Sequence, residues 1–284
     1  MRIIREIAEL RVALESHRRN GASIGLVPTM GFFHEGHLSL MRRARVDCDV
    51  VVVSLFVNPT QFNDAADLEA YPRDEARDAA IAQSGGVDVL FAPDAGEMYK
   101  NDASTTIAVG GVSESLEGES RGPGHFRGVA TVVAKLFNIV QPTVAYFGQK
   151  DAQQALVVRR MVRDLDFAVR IEICPTIREP DGLAMSSRNV RLAPAARAQA
   201  LALRRGLDAA VAAIASGERN AARIEGRGRQ AMEALGVEPE YFAVVSAATL
   251  APVRSLSGEI LVAVAARVGG VRLIDNEIVG APPK

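Results

Sequence analysis

The run "VVVVSLFV", residues 50–57, is apolar at every position except Ser54. A strand without alternation must be covered on both faces, so it belongs in a parallel sheet sandwiched between helices. Similar short runs recur at 23–27 ("SIGLV"), 87–93 ("VDVLFAP"), 143–148 ("TVAYFG") and 169–175 ("VRIEICP"). Helix-length segments lie between them, at about 37–46, 129–140 and 151–165. A polar stretch, 64–83, has helical spacing that Pro72 must interrupt. Strand–helix alternation of this kind requires right-handed crossovers.

The fold class expected is therefore α/β: a Rossmann-like, doubly wound parallel sheet. The pattern changes near "CPTIREPDGLAMSSRN", where two prolines and a glycine break it. Beyond lie an alanine-rich helical stretch (193–216), a second helix (221–235) and strand-like "EYFAVVSA" and "EILVAVAARV". Two domains are expected: 1–176, and a smaller α+β domain, 177–284.

Composition narrows the partners. The 284 residues carry a net charge of −1 and a pI near 6.5, so no broad cationic field attracts nucleic acid or anionic lipid. No apolar run approaches the ~18 residues that span a bilayer. The N-terminus is charged every few residues and does not read as a signal peptide. A cytoplasmic protein without nucleic-acid or membrane partners is expected. Cys48 and Cys174 sit in apolar runs and read as buried free thiols.

The stretch "VPTMGFFHEGHLSL" (27–40) holds His34 and His37, half of the chain's four histidines. As a metal pair they lack further ligands at sensible spacing. As ordinary core or surface histidines they leave Pro28, Gly31 and Gly36 unexplained. As a turn at the carboxyl edge of the first strand they face the crevice where open parallel sheets bind ligands, with free helix amides for an anion. Nucleotide phosphate is the favoured ligand.

Four other stretches carry weaker signals. In "FVNPTQF" (56–62), Asn58 and Gln61 are neutral amides suited to hydroxyl or carboxylate recognition, or part of an ordinary Asn-Pro turn. "FGQKD" (147–151) offers Lys150 and Asp151 after a strand, with Gln154 one helical turn on; the lysine either meets phosphate or points into solvent. "MSSRN" (185–189) can clasp a triphosphate or cap a helix. "LEGESRGPGHFRG" (116–128) carries Glu117, Arg121, His125 and Arg127, as a mobile lid or a long connection.

Taken in order and spacing, "PTMGFFHEGHLSL", "FVNPTQF", "YPR", "LEGESR…GHFRGVATVVAKLF", "FGQKDAQQ" and "REPDGLAMSSRN" resemble the pantothenate synthetases (pantoate–β-alanine ligases). The resemblance spans nearly the whole chain and is densest from Pro28 to Asn189. That family belongs to the nucleotidyltransferase superfamily, whose HIGH-type motif "HEGH" resembles, and whose KMSKS loop "MSSR" resembles. Another adenylate-forming or nucleotidyl-transferring member of that superfamily is the second reading; against a tRNA synthetase stand the short chain and the absence of a basic C-terminal domain. A non-catalytic nucleotide sensor stays open at this point.

The resemblance implies ATP-dependent condensation of (R)-pantoate with β-alanine to pantothenate, AMP and pyrophosphate, in a homodimer using Mg²⁺. It places ATP on Met30, Gly31, Phe32, Phe33, His34, Glu35, Gly36 and His37, with His37 as catalytic acid and His34 beside the phosphates. ATP would also meet Gly148, Gln149, Lys150, Asp151, Ile177, Met185, Ser186, Ser187 and Arg188; of these Lys150, Ser186, Ser187 and Arg188 count as catalytic. Gln61 and Gln154 would grip pantoate, and Gln61 would also lie near β-alanine. Tyr71, Glu117 and Arg121 match positions near the site or the subunit interface. The chain departs from the family pattern at Gly122, which stands as an insertion, and at Gln149 and Ala152, where glutamate and tyrosine are common. Arg77 replaces the first acidic residue of the family's magnesium-side pair, leaving Asp78 as the metal-side candidate.

Overall fold

The computed structural model of the chain describes residues 1–280. Six strands form one parallel sheet: β1 (Arg2–Ile4), β2 (Ile24–Thr29), β3 (Val50–Leu55), β4 (Val89–Phe91), β5 (Val144–Gly148) and β6 (Arg170–Cys174), in the order β1-β4-β3-β2-β5-β6. The order reverses between β2 and β5. That reversal is the switch point where open α/β sheets leave a crevice beyond the strand ends.

Helices Ile7–Arg19 and Gly124–Val140 pack together, and so do Glu35–Asp47 and Glu75–Ser84. The crossover directions put the two pairs on opposite faces, so the sheet is doubly wound. Val51 and Val53 of β3 are fully buried, as an unalternating strand must be. Val27, Phe33, Leu40, Met41, Ala44, Tyr146 and Cys174 join them in one core cluster. Cys48 and Cys174 are free and buried, and burial pushes the Cys174 thiol up to about 11.

The smaller sheet is an antiparallel meander: β7 (Pro239–Ser246), β8 (Glu259–Val268) and β9 (Val271–Gly280). Helices Ala202–Ala215 and Ala221–Glu233 cover it around Leu203, Leu207, Ile214, Ile224, Phe242 and Val264. β9 was not anticipated from its polar composition. It pairs with β8 across Gly269 and Gly270, both at positive φ (55° and 79°), as the two centre residues of a tight hairpin turn require.

Two compact units result. One comprises Met1–Gly148 with Val157–Pro175; the other takes Gln149–Leu156 and the described residues from Thr176 on. The segment Gln149–Leu156, expected with the first domain, thus groups with the second, because β9 hydrogen-bonds its backbone. Among the described residues no helix is long and apolar enough to cross a membrane.

Candidate active site

In the first unit, the turn after β2 is built by conflict between sequence and backbone. Gly31 (φ 88°) and Phe32 (φ 52°) both occupy the left-handed region. A Cβ at Gly31 would lie 2.5 Å from Leu55 Cδ1 and 2.9 Å from Asp78 Oδ2, so glycine is required there. The turn is held from outside. Asp78, 1% exposed, accepts the amide N–H of Phe32 (2.6 Å) and of Phe33 (2.7 Å) on its two carboxylate oxygens. Arg77 donates to the Phe33 carbonyl (3.0 Å) and lies 4.9 Å from the Phe32 ring centroid.

This geometry bears on two expectations. Asp78 does not fit the metal side: it is buried with both oxygens committed to backbone amides, whereas a divalent cation needs open oxygen ligands. No group of three or more metal-binding side chains occurs among the described residues. Burial pushes the Asp78 carboxyl upward, against the pull of the Phe33 and Phe32 amides and Arg77. Phe33 is fully buried, its ring in the core cluster, so any part it takes in the expected nucleotide contact falls to its backbone. Fully burying such a ring stabilises by about 1.5–3 kcal/mol.

His34 and His37 start the Glu35–Asp47 helix. His34 Nδ1 accepts the Gly36 N–H (3.1 Å), and His37 Nδ1 accepts the His34 N–H (3.3 Å), a reciprocal capping box. The rings stand with centroids 4.2 Å apart. In the neutral state each imidazole therefore carries its proton on Nε2, as a donor. Glu35 is exposed and pairs with Arg42. Its carboxylate is spent on a surface ion pair.

Gln61 closes a one-turn helix, Pro59–Gln61. Buried Asn58 donates to Gln61 Oε1 (3.0 Å) and to the Gly128 carbonyl (3.2 Å), while its own oxygen accepts from the Tyr99 hydroxyl (2.9 Å). The Gln61 amide is thereby oriented with Oε1 on Asn58 and Nε2 donating to Met30 Sδ (3.3 Å). His125 Nδ1 lies 2.8 Å from the Gln61 carbonyl oxygen. The structure thus brings Gln61 to the Met30 turn. Glu117 and Arg121 pair with each other (2.7 Å), and Gly122, at φ 78°, ends their short helix. Tyr71 is 5% exposed and stacks edge-on against Phe62, a core position.

In the second unit, Gln149–Asp151 forms a one-turn helix ahead of Ala152–Asp164, and Lys150 Nζ lies 3.4 Å from Asp151 Oδ1. Gln154 is half-buried one turn on. The 177–191 segment folds on itself: Met185 N–H donates to the Ile177 carbonyl (3.0 Å), which sets the two expected nucleotide contacts side by side. Ser186 Oγ accepts the Arg188 N–H (3.2 Å), capping the Ser187–Arg191 turn, so the capping alternative is realised for this hydroxyl's lone pair. Ser187 is buried and Arg188 half-buried. Glu179 clasps the segment, accepting from Asn189 Nδ2 (2.6 Å) and Arg197 (2.7 Å). Gly148 ends β5 in the first unit, beside the switch point.

Comparison with known proteins finds relatives over nearly the full length of the chain. Residues 2–278 match the family model described as pantoate-beta-alanine ligase. The pantothenate synthetase of Heliobacterium modesticaldum is 53% identical, covering 98% of this chain and 99% of its own. A crystal structure of pantothenate synthetase from Thermus thermophilus superposes with a TM-score of 0.93 at 47% identity, covering 100% of both chains. The pantoate-beta-alanine ligase of Francisella tularensis, complexed with beta-gamma ATP and beta-alanine, gives a TM-score of 0.79 at 34% identity, covering 98% of this chain and 97% of that one. The chain belongs to the pantoate–β-alanine ligase family.

Proposed function

We propose that the chain joins the carboxylate of (R)-pantoate to the amine of β-alanine, cleaving ATP to AMP and pyrophosphate through a pantoyl adenylate. The observation that carries this reading is the full-length family match. The Francisella relative's ATP and β-alanine complex supports the same substrates here. The chain is a ligase, and the residue roles that follow are our reading of its geometry.

A free carboxylate resists amines because its leaving group would be oxide. Attack of the pantoate carboxylate on the α-phosphorus, in line with departing pyrophosphate, makes AMP the later leaving group. Negative charge then accumulates on phosphate oxygens, and fixed donors aimed at them lower the barrier. We assign that task to Nε2–H of His34 and His37, to Lys150, and to Ser186, Ser187 and Arg188. Nε2 of Gln61, at the Met30 turn, is assigned to donate to the pantoate carboxylate without the ion pair that would blunt its nucleophilicity. Gln154 is assigned to pantoate as well. The β-alanine amine then attacks the mixed anhydride, forming the amide and expelling AMP. Mg²⁺ is taken to arrive on the triphosphate as part of the substrate, since Asp78 is committed to the turn.

Pyrophosphate exchange into ATP tests the reading: it should require pantoate, and His37→Ala and Lys150→Ala should fold yet lose it. Exchange indifferent to pantoate would sink the proposal. The family resemblance also leads us to propose a cytoplasmic homodimer, which sedimentation equilibrium checks for its subunit count.

A further inference from the structure

The one-turn helix that carries Lys150 is held by a residue far along the chain. Asn276 lies on β9 and is 4% exposed. Its Nδ2 donates both hydrogens, one to the Gln149 carbonyl (3.0 Å) and one to the Lys150 carbonyl (2.9 Å). Its Oδ1 lies 3.5 Å from Gln149 Nε2. The two carbonyls belong to the peptide planes on either side of the Lys150 Cα. Fixing both planes fixes the direction in which the lysine leaves the backbone.

Asn276 is itself tied down. Its N–H donates to Asp275 Oδ1 (2.8 Å), and Asp275 takes a two-pronged ion pair from Arg178 (2.6 and 3.0 Å). Arg178 follows Ile177 directly, and its backbone bridges to Ala184, next to Met185. One step of β9 therefore anchors both stretches of this unit that the proposed function assigns to ATP. The choice of side chain follows from the need. Only a buried, uncharged group with two donors on one atom can grip successive carbonyls without adding a charge beside the lysine. An aspartate would place lone pairs against both carbonyl oxygens; a leucine would offer them no donor.

We infer that Asn276 is a positioning residue for Lys150, acting on the first half-reaction through the aim of that ammonium group. The inference rests on the assignment of Lys150 to the triphosphate. Misplacement of a catalytic group by about an ångström can cost on the order of 10²-fold. A residue acting through Lys150 has nothing left to lose once Lys150 is gone.

The test is pantoate-dependent pyrophosphate exchange in the full-length protein, with Asn276→Ala, Lys150→Ala and the double variant, alongside thermal unfolding. We expect Asn276→Ala to stay folded and to lose roughly 10- to 100-fold in kcat/KM for ATP with little change in KM for pantoate. The double variant should match Lys150→Ala to within about twofold. Asn276→Asp, which keeps the shape and removes the donors, is read in the same way should the alanine variant not fold. Normal exchange in Asn276→Ala with Lys150→Ala inactive overturns the inference and leaves the assigned function standing. Normal exchange in Lys150→Ala removes the lysine's assignment and the inference with it. Losses that multiply in the double variant, or collapse of both Asn276 variants, would make this a residue of folding only and also overturn it.

Discussion

His34 and His37 cap the same helix for each other, each spending Nδ1 on a backbone amide, with ring centroids 4.2 Å apart. The capping task and the catalytic task we propose therefore fall on different nitrogens of one ring. In His37→Asn the side-chain oxygen stands near the position of Nδ1 and keeps the cap, while the Nε2–H donor is lost. That variant should unfold close to the wild-type temperature and lose on the order of 10²-fold in exchange rate. Thermal unfolding and the exchange assay, run together, check it. A variant that kept its activity would strip His37 of its role.

Asp78 holds the Gly31–Phe33 turn through the amides of Phe32 and Phe33. An asparagine there has one oxygen for two donors and sets its own N–H₂ against the second. Asp78→Asn should lose about 1–3 kcal/mol of stability and raise KM for ATP, because one buried amide is left unpaired. The Mg²⁺ concentration for half-maximal rate at saturating ATP should not move. A large shift in that titration would return Asp78 to the metal.

Gly128 lets the Gly124–Val140 helix touch the Gln61 turn: an added Cβ would sit 2.4 Å from the Thr60 carbonyl oxygen and 2.7 Å from the Gln61 nitrogen. Backbone must give way. Gly128→Ala should cost about 1–3 kcal/mol, as overpacking does, and raise KM for pantoate with KM for ATP little changed. Steady-state kinetics with each substrate varied separates the two constants.

Glu179 and Asp181 are held below the usual carboxylate range, chiefly by hydrogen bonds from Arg197. A carboxyl lowered on folding adds stability that is present above its unfolded value, ~4.3 for Glu and ~3.9 for Asp, and lost as pH falls through the folded value. The gap in unfolding temperature between wild type and Arg197→Gln should be full at pH 7 and shrink below about pH 4. Both partners are partly exposed, so the gap itself should be small. A gap independent of acidity would show that the ion pairs contribute nothing.

The parallel sheet was legible because its strands, such as Val50–Leu55, are apolar without alternation and its crossover helices have their own period. The break at Pro72 was legible too: the polar stretch divides into Ala65–Glu69 and Glu75–Ser84. The three-residue strand Arg2–Ile4 was not, since so short a run has no period and is defined only by pairing with Val89–Phe91. β9 was missed because "VRLIDNEIVG" is half polar, although the Gly269–Gly270 pair ahead of it marked a hairpin.

By itself the sequence determined which residue types stand in the candidate stretches: the glycines, imidazoles, amides and cations of Met30–His37, Gln61, Lys150 and Met185–Arg188. Local spacing and residue chemistry suffice for that. Only the tertiary structure decided what each polar atom does. It turned Asp78 inward onto two amides, buried the Phe33 ring, oriented Gln61 through Asn58, and set Asn276 on the backbone of Lys150. Those contacts join residues up to 127 positions apart, and buried donors and acceptors must find partners wherever the fold brings them, at distances no local pattern encodes.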